Sequence, residues 1–161
     1  LNLESLKGLS EIELQEAILS LDLSKNLIKK MPSSLFPHLV DLDISHNPIE
    51  QLPHTMIKGL AHLKRFVAHG TRIREIPEDF FQTSPALEEV NLANNQLDAL
   101  GPKLLQPLVR LQKLNLTRNN LSHLDPEALC NQTDLTLLRI SHNKLRKLPS
   151  HLSRALTSLE T

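Results

Sequence analysis

Apolar residues recur with a fixed stride along almost the whole chain. Ile18, Leu39, Leu63, Leu87, Leu111, Leu135 and Leu159 stand 21 and then five times 24 residues apart. Each of the first six opens the same pattern: apolar residues at +3, +5, +10 and +13, and Asn or a substitute at +8. The second unit has Leu42, Ile44, Asn47, Ile49 and Leu52; the third has Phe66, Ala68, Thr71, Ile73 and Ile76. Five equal spacings in a row do not arise by chance. One unit of this size cannot cover its own apolar side, so the units must stack and bury one another. Composition points the same way, because the chain is 40% hydrophobic but only 2% aromatic, without Trp or Tyr. An interior so poor in aromatics needs a regular lattice of similar side chains, since the large rings that fill irregular spaces are missing.

Position by position, the unit reads as one coil of a solenoid. The step from +3 to +5 has period two, so it predicts a short strand with both apolar side chains on one face. The residues at +10 and +13 turn back into the same interior. The recurring Asn sits where the chain leaves the strand, where its amide can bond backbone groups that a buried bend leaves unpaired. Thr71 replaces that Asn after His69 and Gly70 and can make fewer bonds, so the third turn is expected to be irregular. Prolines 32, 53, 77 and 149 suit an extended outer arc rather than a long helix. Gly101-Pro102 and Asp125-Pro126 move that proline one place later, so the fourth and fifth arcs are expected to differ slightly. Ile57, Phe81, Leu105 and Leu129, at +18, are expected to pack under the convex side.

The units divide the chain into 18–38, 39–62, 63–86, 87–110, 111–134 and 135–158. Residues 1–17 fit less well, because Leu9, Ile12 and Leu14 imitate a unit start only nine residues before Ile18. A parallel neighbouring strand needs a crossover of about a dozen residues. A degenerate or interrupted coil is the preferred reading, with a capping strand or helix as the alternative. Residues 159–161 open a seventh unit, which suggests a longer or processed protein whose solenoid, or an oligomer, continues at that edge.

Strand residues that do not point inward line the concave sheet and are the candidate partner-binding surface. They include Asp22, Asp41, Asp43, His46, Arg65, His69, Glu89, Asn91, Lys113, Arg118, Arg139 and His142. Acidic residues gather at the beginning and basic ones at the end. Six strands at about 4.8 Å make a face roughly 25–30 Å wide, enough for a protein partner. Asp22 and Asp43 should be cross-strand neighbours, which is unfavourable unless compensated. The face reads either as an acidic patch for a basic partner segment or as an ordinary hydrated sheet. His46 and His69 should also be neighbours, but two histidines without a third convergent ligand make a poor metal site. Asp41 and Asp43 on a flat strand make a poor calcium site.

No nucleophile elbow, zinc-protease, P-loop or dinucleotide motif occurs, so neither catalysis nor a cofactor is expected. Cys130, the single cysteine, can form no internal disulfide and is expected to be a small buried core thiol. A net charge of zero gives no footprint for nucleic acid, and no apolar run reaches the roughly 18 residues a membrane span needs, so neither nucleic-acid binding nor membrane insertion is expected. Three N-x-S/T acceptors occur, at Asn115, Asn120 and Asn131. Asn131 lies on an outer arc, whereas a glycan on Asn115 would block the concave face.

The pattern resembles the leucine-rich repeat family, in its 24-residue class. The resemblance implies a right-handed horseshoe with short parallel strands on the concave face and irregular, 3-10 or polyproline-like arcs on the convex face. It also implies recognition rather than chemistry, as in receptors, adhesion and matrix proteins and innate immune sensors. The unit length resembles the extracellular members, although their cysteine-capped ends are absent here. The leading expectation is a protein-binding segment of a cell-surface or secreted receptor. The alternatives are a cytoplasmic scaffold that positions a signalling enzyme and a structural spacer.

Overall fold

A computed structural model describes residues 17–33 and 35–148. Expectations for residues 1–16, Pro149 and the seventh unit lie outside the described residues. Six short strands form one parallel sheet in sequence order: β1 (Ser20–Asp22), β2 (Asp41–Asp43), β3 (Arg65–Val67), β4 (Glu89–Asn91), β5 (Lys113–Asn115) and β6 (Leu137–Arg139). Pairing follows the repeat without slippage, so Leu21, Leu42, Phe66, Val90, Leu114 and Leu138 form one row across the sheet. Each is the middle residue of its strand and faces inward, as period two requires. The row is fully buried from Leu42 to Leu114 and only partly buried at Leu21 and Leu138, which belong to the first and last described strands.

The convex wall is built from three columns, of which sequence reading found one. Ile57, Phe81, Leu105 and Leu129 at +18 are buried, as expected. So are Met56, Phe80, Leu104 and Ala128 at +17, and Leu60, Ser84, Leu108 and Gln132 at +21. The outer arcs of the second to fifth units repeat i to i+3 turns, for example Met56 N–H to Pro53 O at 2.9 Å and Phe80 N–H to Pro77 O at 3.0 Å. Gly101 and Asp125 accept the equivalent bonds in the arcs whose proline is displaced, at 3.2 and 3.1 Å, so the backbone path is conserved. In the fifth arc the turns join into a 3-10 helix, Pro126–Leu129, capped by Asp125, whose Oδ1 accepts from Glu127 N–H at 2.8 Å.

Cys130 is exposed, which overturns the expectation of a core thiol. With three residues per 3-10 turn, +18 and +21 face inward while +19 lies between them and faces out. Lys58, Gln82 and Gln106 hold the same position in the other units, and their polarity was the signal.

The asparagine column is a ladder of amides, buried at Asn47, Asn95 and Asn119 and half-buried at Asn143. Asn47 donates to Leu23 O at 2.8 Å and accepts from Ile28 N–H at 3.0 Å, both in the preceding coil. Asn95, Asn119 and Asn143 make the equivalent pairs with Ala68 and Ile73, with Leu92 and Leu97, and with Leu116 and Leu121. Thr71 reaches Ala68 O at 3.4 Å and Asn95 Oδ1, and among the described residues no side-chain oxygen serves Ile49 N–H. The third turn is nevertheless regular. Gly70 has φ 65°, beside 54° at His46 and 52° at Asn94, and its N–H bonds Ala93 O at 2.9 Å like its counterparts. Backbone bonds between coils hold the path even where the amide rung is missing. The small Ala68 is offset by a ring cluster, Phe66, Phe80 and Phe81, whose centroids lie 5.0–5.8 Å apart.

Candidate functional site

The non-inward residues of the six strands form parallel rows on the concave face. At +2 the row runs Ser20, Asp41, Arg65, Glu89, Lys113, Leu137; at +4 it runs Asp22, Asp43, Val67, Asn91, Asn115, Arg139. The expected Asp22–Asp43 juxtaposition is therefore present. Val67, Ser45 and Ala93 sit low in the sheet and are buried, so they contribute little contact surface.

Charges in the middle of the face neutralise each other. Lys64 Nζ lies 3.0 Å from Glu88 Oε1, Arg65 Nε 3.6 Å from Glu89 Oε1, and Lys113 Nζ 3.9 Å from Glu89 Oε2. These are half-exposed pairs, each worth little in stability. Their consequence is spatial. Among the described residues Asp22, Asp41 and Asp43 remain outside any ion pair at one end, and Arg118 and Arg139 do so at the other.

The +4 row also has a structural duty that sequence reading missed. Asp22, Asp43, Asn91 and Asn115 each turn one Oδ1 back to the N–H two residues on, at 2.8–3.1 Å. That local bond ends the strand and bends the chain into the turn. Val67 cannot provide it, and His69 N–H takes Ser45 Oγ of the preceding coil instead, at 3.2 Å. The recurrence of Asp or Asn in one column was the available signal. At Asp22 the hydrogen bonds from Ser24 hold the carboxyl below its usual range, aided by Arg65 and Lys25 and opposed by partial desolvation. One oxygen of each aspartate thus has a structural partner, and the other belongs to the face.

His46 and His69 meet edge to face, with ring centroids 4.9 Å apart. Gly70 lies beneath the His46 ring, where a Cβ would come within 2.9 Å of Nδ1. Asn94 Nδ2 approaches the His69 ring nitrogens at 3.3 and 3.4 Å. Burial pushes the His69 imidazole down, the neighbouring His46 adds to this, and Asp43 opposes it. Arg118 and His142 stand exposed at the far end of the row that holds His46, Gly70 and Asn94, away from the pair. Among the described residues no three His, Cys, Asp or Glu side chains converge on a possible metal position, and no helix is long and apolar enough to cross a membrane. An open cleft of about 710 Å3 lies on the flank by Lys29, Met31, Leu52 and Arg72, off the concave sheet.

The sequon asparagines are scattered. Asn115 lies within β5 on the concave face, Asn120 is half-buried on the flank, and Asn131 is exposed on the outer arc.

Residues 61–121 and 110–161 match a leucine rich repeat profile, and residues 38–60 match a second one. Similar solved structures include TLR13 in complex with ssRNA13, at 33% identity and TM-score 0.82 over 89% of this chain. A leucine-rich repeat protein of Leptospira interrogans is 27% identical, with TM-score 0.81 over 94% of this chain. The chain spans 21% of the first and 39% of the second. No curated protein matches the sequence.

Proposed function

We propose that this chain, which belongs to the leucine-rich repeat family, is the recognition segment of a cell-surface or secreted receptor that binds a protein ligand through its concave sheet. Repeats of this family are generally non-catalytic binding modules. The observation that carries the reading is the charge left over once the central ion pairs are counted. Asp22, Asp41 and Asp43 face outward at one end, and Arg118 and Arg139 at the other. A face with opposite ends of opposite sign selects the direction in which a charged segment lies on it. A segment that is basic over β1–β2 and acidic over β5–β6 fits, and the reverse direction meets like charges. TLR13 is solved in complex with an RNA; here the concave face carries charges of both signs and the chain is neutral, which favours a polypeptide.

The test uses substitutions that keep the strand-ending bonds. In protein made in bacteria, which add no N-glycan at the N-x-S tripeptides that the changes create with Ser24 and Ser45, Asp22→Asn and Asp43→Asn preserve the Oδ1 acceptor, as Asn91 and Asn115 show, and remove only charge. Combined with Asp41→Asn, they should weaken binding of a synthetic peptide, basic at one end and acidic at the other, by about tenfold, on the order of 1.4 kcal/mol. An affinity within twofold of the parent would refute the reading, provided the melting temperature is unchanged.

A further inference from the structure

We propose that Asn131 carries an N-linked glycan, and that the two other N-x-S/T asparagines do not. The tripeptide Asn131-Gln132-Thr133 leaves the 3-10 helix of the fifth arc with its ends turned outward. Asn131 and Thr133 are exposed while Gln132 is fully buried, its Nε2 donating to Leu105 O at 2.7 Å. Anchoring the middle residue to the preceding coil directs the acceptor asparagine into solvent. The Asn131 amide is only loosely held: Nδ2 lies 3.3 Å from Gln106 O, and Cys130 Sγ lies 3.4 Å from Oδ1. Glycosylation consumes one Nδ2 hydrogen and leaves the other for Gln106 O. One coil earlier the equivalent positions hold Pro107 and Val109, and the latter is 50% exposed.

The other two sites lack this freedom. Asn115 is half-buried between its register partners Asn91 and Arg139, and its Oδ1 is bonded to Thr117 N–H at 3.1 Å. With strands about 4.8 Å apart, an oligosaccharide there covers both neighbours. Asn120 is half-buried between the buried side chains of Asn119 and Leu121, and its N–H is bonded to Leu97 O at 2.9 Å. A bulky hydrophilic group is tolerated at a protruding residue, not at one pinned between two core side chains.

The transfer needs an oligosaccharide donor on a lipid diphosphate. Asn131 Nδ2 attacks C1 of the first sugar and the N–C1 bond forms. The C1–O bond to phosphate breaks, the diphosphate leaves with the electron pair, and one amide proton is lost.

The experiment is secretion of the full-length chain from eukaryotic cells, then removal of N-glycans by a peptide glycosidase in oxygen-18 water. Peptide mapping should place the label on Asn131 and on neither Asn115 nor Asn120, and Asn131→Gln should lose a mass shift of one glycan. An unlabelled Asn131, or label on Asn115 or Asn120, overturns the proposal. Mapping the parent protein decides the matter even if the variant folds poorly, and Thr133→Ala offers a second route because it leaves Asn131 in place. The inference rests on the cell-surface or secreted half of the proposed function and not on the concave-face reading. Peptide affinity is measured separately on the unglycosylated bacterial protein, so either can fail alone.

Discussion

Asp43 illustrates how one side chain can serve the fold and the face together. Its Oδ1 accepts from Ser45 N–H at 2.8 Å, so Asp43→Ala should cost about 1 kcal/mol, while Asp43→Asn should stay within a few tenths. Urea denaturation midpoints of the two variants check this. His69 responds to pH. Its pKa is lowered from 6.5 by burial and by His46, so the folded state prefers the neutral ring. The stabilisation is present above the unfolded value and is lost as pH falls through the folded one. Thermal stability should therefore drop below about pH 6.5, and His69→Gln should flatten that part of the profile. Alternation along the sequence located both residues on the concave face. It could not assign Asp43 its backbone duty, because side chains at strand ends curl back in a way that period two does not describe. Cys130 escapes the same alternation for a related reason: the arc follows a period of three, so the position next to a buried +18 residue faces solvent.

The seam between the second and third coils lacks its amide rung. Four of the ladder positions carry asparagines that bond the coil before them, whereas Thr71 leaves Ile49 N–H without a side-chain acceptor. Thr71→Asn restores a buried amide with two inter-coil bonds and should stabilise the protein by about 1 kcal/mol, read from the denaturation midpoint. Hydrogen exchange gives the complementary reading. Amides of β1 and β2 should open at lower free energy than those of β4 and β5, and Thr71→Asn should narrow the gap. The missing rung at Thr71 is legible in the sequence, but the irregular turn expected from it does not form, since backbone bonds such as His46 N–H to His69 O at 2.8 Å continue across it.

The molecule as a whole is neutral, yet its concave face has two poles. Binding that depends on such poles is screened by salt, because the Debye length falls from about 10 Å at 0.1 M to about 3 Å at 1 M. Affinity for the bipolar peptide should fall steadily over that range, with most of the loss in the association rate; a flat salt titration would contradict it. Stacking, strand order and inner columns could be read from the sequence, since a constant stride leaves little freedom. Which surface charges cancel could not, because that depends on side chains meeting across coils 24 residues apart, as Lys64 and Glu88 do.

The rungs also have a direction. Asn47, Asn95, Asn119 and Asn143 all reach back toward residues already behind them in the chain, and none reaches forward to a later coil. A polypeptide emerging from the ribosome therefore gains each of these four fastenings only when the later loop arrives. Growth proceeds like a zip whose slider trails the newest tooth by one, with one tooth missing at Thr71.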